Sequence, residues 1–272
     1  MKKHKLIFYL IAALLVYSCI GDDDIDNTPK LGLLKSVEGY FNGEIDQITE
    51  ISYDENHRLT SLRQLQGNFA TLTYDVTYLE EEVTSIMMAY HWHPQHTDTT
   101  IVIDYDITYQ NNEITLSDQN SENKKVFQVT DGYVDSYKVY YGDNNDHVNE
   151  SVFKRDQHNN IDSISYYATN LIDTHLLVWK YRYSNFDTST KLNSAYNPVF
   201  NYAYSMYEPF IGAVLNLKIS NETPLTSTPI NVSYPGSVTA EMVTDENGLL
   251  KKFYYEYFGS PTNDLYLELD YY

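Results

Sequence analysis

A single cysteine, Cys19, serves a chain of 272 residues. If modification consumes it, disulfides, CxxC redox chemistry, thiolate metal sites and a cysteine nucleophile are all excluded, even in a compartment that permits disulfides. Basic residues are also scarce. Eighteen Lys and Arg stand against 38 Asp and Glu, for a formal net charge of −20. A chain this acidic repels phosphate backbones, so no nucleic-acid partner is expected. Catalytic motifs are missing too: there is no GxSxG elbow, HExxH, P-loop or GxGxxG. With 38 carboxylates, chance pairs are too common for a paired-acid argument to discriminate. The expectation is a protein that is not an enzyme and has no cofactor. What the chain does have is a hydrophobic share of 42% with 28 tyrosines, well outside the disordered regime.

The N-terminus carries an address. Lys2, Lys3 and Lys5 precede the apolar run Leu6 to Val16, too short to span a bilayer and ordered like a secretory signal. Val16-Tyr17-Ser18-Cys19 resembles a bacterial lipobox, with Tyr17 where a smaller residue is commoner. The resemblance implies a signal peptide over 1–18 and an acylated Cys19 followed by a flexible tether over 19–36. Its partner would be the membrane, reached through the lipid anchor, since more than one buried acyl chain anchors durably. Asp22, Asp23 and Asp24 resemble the export signal of Bacteroidetes surface lipoproteins, which implies an outer-membrane protein facing the exterior. An acidic tether facing the periplasm is the alternative. Removal of 1–18 leaves 254 residues and takes away three lysines, so the net charge becomes −23.

Period-2 patterning dominates the rest. Leu72, Tyr74, Val76 and Tyr78 alternate with Thr71, Thr73, Asp75 and Thr77; Ile101, Ile103, Tyr105, Ile107 and Tyr109 alternate with Val102, Asp104, Asp106 and Thr108. Such alternation marks strands with one buried and one wet face. Asp/Asn-rich turns recur ahead of Leu59, Val83, Ile114, Val134, Ile161 and Leu249, which is hairpin grammar. One segment departs from it. Asn197-Pro198 suits a helix start, Val199, Ala203, Met206, Phe210 and Ala213 follow helical spacing, and Pro209 predicts a break before a second turn ending near Leu215. The fold expected is mainly β: an antiparallel meander of hairpins over 37–272, forming one strongly curved sheet or partial barrel with a short helical insert near 198–215.

Ile51-Ser52-Tyr53-Asp54-Glu55-Asn56-His57-Arg58-Leu59 resembles the tyrosine-aspartate repeats of Bacteroidetes lipoproteins. The block from Trp179-Lys180-Tyr181-Arg182-Tyr183 through Asn197-Pro198 to Phe210-Ile211-Gly212 resembles an uncharacterised domain family with a porin-like fold. That resemblance implies a curved antiparallel sheet or partial barrel and no known activity. Glycines are fewer at the turns than in that pattern, which leaves the turn geometries open.

Four groups of residues invite a chemical reading. His91, His93 and His96 place three imidazoles in six residues, a geometry compatible with Zn²⁺ or Cu²⁺, although a loop tip between two strands is the preferred account because no carboxylate at fixed spacing completes a ligand set. Asp143, Asp146 and Glu150 are oxygen-rich but lack calcium-loop spacing. Asp162-Ser163-Ile164 and Asp98-Thr99-Thr100 resemble a short O-glycosylation acceptor. Tyrosine rows and two tryptophans suit either a β core or a sugar-stacking face. The expected function is therefore a lipid-anchored surface domain that binds a glycan, peptide or protein without covalent chemistry. The alternative is a carboxylate-dependent glycan hydrolase. A membrane-embedded barrel is the structural rival, opposed by polar residues within short strands.

Overall fold

In the computed structural model the described residues are 33–67, 70–92, 99–142, 147–169, 175–187, 209–230, 238–256 and 265–272, and sixteen strands run through them. These are β1 (Leu34–Phe41), β2 (Glu44–Tyr53), β3 (Leu59–Gln66), β4 (Ala70–Leu79), β5 (Glu82–Trp92), β6 (Thr99–Gln110), β7 (Glu113–Asp118) and β8 (Lys124–Thr130) in the first half. The second half holds β9 (Tyr133–Tyr141), β10 (His147–Arg155), β11 (Ile161–Thr169), β12 (His175–Asp187), β13 (Thr223–Ile230), β14 (Val238–Thr244), β15 (Leu250–Glu256) and β16 (Leu265–Tyr271). One short helix, α1 (Pro209–Val214), lies between β12 and β13. Every strand pairs antiparallel with its sequence neighbours, and β16 pairs with β1 to close the ring. The expected curved sheet is thus a barrel, closed by contacts between the two ends of the strand array.

β1 starts at Leu34, three residues before the expected boundary at 37. A bulge at Lys35 explains why the alternation hides it. Leu34 pairs with Tyr271 and Ser36 with Asp270, so buried Leu34 and Val37 are three residues apart rather than two.

Register and burial together assign the two faces. Along β3 to β6 the rows Leu62, Tyr74, Met88, Ile103 and Gln64, Leu72, Tyr90, Ile101 point inward with the apolar cluster. The residues between them, Thr73, Asp75, Ala89, Asp104 and Asp106 among others, point outward. The same parity runs round the ring. Phe127, Tyr137, Phe153, Ile164, Tyr183, Phe253 and Leu267 are buried inside it.

A sixteen-strand ring encloses more space than wall side chains alone can fill. Part of that space is taken by α1. Phe210, Ile211, Ala213 and Val214 are all buried, and the Phe210 ring lies 4.9 Å from that of Tyr74. Sequence spacing predicts a break at Pro209 and then a second turn ending near Leu215, and α1 is that turn. Proline at a first helical position lacks only an N–H that has no intrahelical partner anyway. Residues 198–208 lie outside the described residues.

The two rims differ. The turns leading into β3, β11 and β15 share one design at one rim. Asp54, Asp156 and Asp245 each accept, at Oδ1, the N–H groups of the residues two and four positions on, at 2.8–3.0 Å. The residue three positions on is left-handed in each: His57 at φ 62°, Asn159 at 60° and Gly248 at 80°. The two-residue turn Asp131-Gly132 at the same rim has φ 52° and 80°, the mirror-image turn that follows strand twist.

The segment after α1 is tied to this rim. Lys218 donates its N–H to the Gly132 carbonyl (2.8 Å) and accepts from Val134 (2.9 Å). Asn160, buried, bonds Glu222 at both ends of its amide (2.8 and 3.0 Å). Arg155 reaches the Ile219 carbonyl (3.1 Å) and Asp135 (3.0 Å). This is the capped rim; the loops after β1, β3, β5, β7, β9, β11, β13 and β15 lie at the other, called the open rim because described inward side chains near it are exposed.

Candidate functional site

The described outer wall carries charges on most of its strands. Arg63 pairs with Glu50 (3.5 Å), Lys138 with Glu150 (3.3 Å) and Lys35 with Asp270 (3.5 Å) across adjacent strands. Lys252 pairs with Glu268 in the same way. Asp75, Asp104, Asp106, Lys180 and Arg182 also stand on outward positions in register with outward neighbours. Exposed pairs of this kind contribute about 0–1 kcal/mol each, so their value lies in where they stand. A bilayer-spanning barrel has the opposite arrangement, with an apolar belt outside and a polar interior.

Tyr40, Tyr254 and Tyr266 make an aromatic ladder on the outer wall across β1, β16 and β15. Tyr40 and Tyr266 stack at 4.5 Å and 7°, and Tyr254 lies 5.5 Å from Tyr266. Rings stacked on one another turn their faces inward to the ladder, so they fasten the closing seam rather than offer a platform. The Tyr40 hydroxyl donates to Glu38 (2.7 Å), and that carboxylate with burial pushes its pKa up to about 12.

Among the described residues, inward side chains are buried toward the capped rim and several are exposed toward the other. Tyr74, Tyr105 and Tyr137 are buried, whereas Phe41, Trp92, Ile101, Tyr141 and Leu176, all on inward positions nearer the open rim, are exposed. Two aromatic groups line this half. On β5 the Tyr90 and Trp92 rings are 6.0 Å apart. On β11 and β12, Tyr166 stacks on Trp179 at 5.1 Å, and Trp179 meets Tyr181 edge-on at 5.2 Å. Burial, with Tyr141 as a smaller cause, raises the Tyr166 pKa. Both tryptophans of the chain therefore stand on the inner wall. Polar side chains join them: Gln64 and Gln66 on β3 and Gln47 on β2, whose amide donates to Thr49 (3.3 Å).

A second cavity, of about 280 Å³, opens at the capped rim between Arg58, Tyr78 and Glu81 of the wall and Ala213 and Val214 of the insert. Its one guanidinium is already committed. Arg58 donates to Asp54 (2.7 Å) and to the Glu80 carbonyl, and lies over the Tyr78 ring at 4.5 Å. Burial raises the Tyr78 pKa to about 12, partly countered by Arg58. The cavity is a by-product of how the rim is tied, with no cation left to hold a ligand.

The residues singled out by sequence are dispersed. Cys19, Asp22, Asp23 and Asp24 lie outside the described residues, as do His93, His96, Asp143 and Asp146. His91 is on β5, on the outer face, with Nδ1 2.8 Å from Thr100 Oγ1. Among the described residues no group of three His, Cys, Asp or Glu side chains could hold a metal ion. Glu150 is the ion-pair partner of Lys138. The hydroxyl of Ser163 is buried without a hydrogen-bond partner, so a glycosyltransferase does not reach it in the folded chain. Sequence reasoning missed Arg155, Asn160 and Glu222, which fasten the insert; only the Asp156 turn that they flank carried a local signal.

No family model matches the chain, so membership of the uncharacterised domain family is not confirmed, and no curated protein matches it. Two solved structures are similar in fold. A porin-like protein from Bacteroides uniformis ATCC 8492 aligns at TM-score 0.44 and 10% identity, over 88% of this chain and 98% of that one. A porin-like protein from Bacteroides vulgatus ATCC 8482 aligns at TM-score 0.47 and 11% identity, over 89% and 99%. The barrel itself rests on the strand register given above.

Proposed function

We propose that this chain is a lipid-anchored, non-catalytic binding domain of the cell envelope, displayed at the outer surface, whose ligand enters the open end of the barrel. The carrying observation is the orientation of the wall: most charged side chains stand outside and the apolar core inside, with Lys125, buried beside Tyr105, the exception. Each charge held at bilayer mid-depth costs about 2–4 kcal/mol, and this wall carries charges on most of its strands. A barrel of that kind is a water-borne scaffold that needs a separate anchor, and Cys19 supplies one. Both ends of the strand array lie at the capped rim.

Metabolic labelling with a fatty-acid probe tests the anchor, and protease shaving of intact cells tests display. Wild type is expected to take the label and to be shaved. Cys19→Ala should lose the label and leave the membrane fraction. Replacing Asp22, Asp23 and Asp24 with Ala should keep the label but protect the protein from shaving. An unlabelled wild type contradicts the anchor; a labelled but protected wild type contradicts surface display.

A further inference from the structure

We propose that copies of this chain associate side by side, the outer wall of β8–β12 on one copy docking against the outer wall of β4–β7 on the next. This goes beyond the binding reading above and does not depend on it. Charge is segregated along the chain. Between Arg63 and Lys124 there is no Lys or Arg, while ten Asp and Glu stand in the same stretch. That stretch supplies the whole of β4, β5, β6 and β7. Asp75 and Asp104 flank Met87 in one outward cross-strand row, and Asp106 stands outward two residues further along β6. Asp75, Met87 and Asp106 are exposed.

The next strands round the ring reverse the sign. Lys124, Lys138, Lys154, Lys180 and Arg182 take outward positions on β8, β9, β10 and β12. Lys154 and Arg182 flank Ser163 in one row, as Asp75 and Asp104 flank Met87, so each pair is two strands or about 10 Å apart. Lys154 and Arg182 are exposed, and neither they nor Lys180 form an ion pair with any described carboxylate. The carboxylates nearby are mostly taken. Glu150 is held by Lys138 (3.3 Å) and Asp135 by Arg155 (3.0 Å), which leaves Asp162 at the bulge of β11.

A chain of net charge −20 repels its own copies at long range. At about 0.1 M salt, however, exposed charges more than about 10 Å apart are screened, so the signs of the two facing walls outweigh the total. Unlike walls then attract and like walls repel. A symmetric pair, in which one wall meets itself, is disfavoured. The contact is heterologous, each copy keeps a wall free for the next, and growth continues past two. Both halves of the match belong to one chain, which is why the partner assigned is a second copy.

Sedimentation velocity on full-length Cys19→Ser protein, which carries neither anchor nor thiol, tests this across the micromolar range. Species larger than a dimer are expected at about 0.1 M salt and monomer at about 0.5 M. Two double reversals follow, Asp75→Lys with Asp104→Lys and Lys154→Glu with Arg182→Glu. Each alone should weaken association at least about tenfold. Their melting temperatures should match the parent's, which separates a lost contact from a lost fold. An equal mixture should associate again, because the intact wall of each variant meets the intact wall of the other. The aspartate reversal makes the chain less negative, so net charge alone would have that variant associate more strongly than its parent. A parent that stays monomeric at the lower salt, association that strengthens as salt rises, or a mixture no better than its parts overturns the proposal.

Discussion

Asp54 shows how much one side chain can organise here. Its carboxylate accepts the backbone N–H groups of Asn56 and Arg58 at 2.9 Å and the Arg58 Nε at 2.7 Å. Burial pushes the Asp54 pKa up, but the Arg58 N–H, the Arg58 guanidinium and the Asn56 N–H outweigh it and hold the carboxyl below its usual value. A depressed folded value means that the stabilisation is complete above the unfolded carboxylate range, about pH 4, and is lost as the pH falls through the folded value. Asp54→Ala is expected to cost about 2 kcal/mol at neutral pH, since charged hydrogen bonds are lost and Arg58 is left without its main partner. Urea unfolding of wild type and variant from pH 7 down to pH 2 checks this: the two curves should differ at neutral pH and converge in acid. The turn was visible in sequence as Tyr53-Asp54-Glu55-Asn56-His57-Arg58, because its hydrogen bonds are all local. The positive φ at His57 was not, since histidine does not announce it as glycine would.

At the scale of elements, the repeat of Asp/Asn turns has a simple meaning. The positions Leu59, Val83, Ile114, Val134, Ile161 and Leu249 fall at or within one residue of the starts of β3, β5, β7, β9, β11 and β15, which all leave the same rim. The period is one hairpin, and the long interval between Ile161 and Leu249 contains β13, whose lead-in is the insert rather than a turn. The open-rim loops carry no such repeat. Helical spacing located the insert but not its packing, because Phe210 and Ile211 are buried by partners far away in sequence, Tyr74 among them. Phe210→Ala is expected to cost about 3–5 kcal/mol by leaving a cavity between α1 and the wall. For a domain of this size that lowers the melting temperature by about 10 °C. Calorimetry measures it; a drop of a degree or two would mean that α1 does not brace the ring.

For the whole molecule, closure was the property least legible in sequence, because it depends on β1 meeting β16 across more than two hundred residues of chain. Which face looks outward was legible. The Thr and Asp positions of β4 and β6 read as the wet face, and the barrel places them outside. Exposure along the inner wall was only partly legible, since alternation assigns Tyr90 and Trp92 to one face but gives no sign that Trp92 is 45% exposed there. That outward polar face is the observation on which the proposed function depends. A cysteine scan along β4 in a Cys19→Ser background, where no other thiol exists, tests it most directly. With a membrane-impermeant maleimide and folded protein free of detergent, cysteines at 71, 73, 75 and 77 should label rapidly, and those at 74 and 76, toward the capped rim, should be protected. Protection of the Thr71, Thr73, Asp75 and Thr77 positions together with labelling at Tyr74 and Val76 would show a wall turned the other way, and would contradict the account.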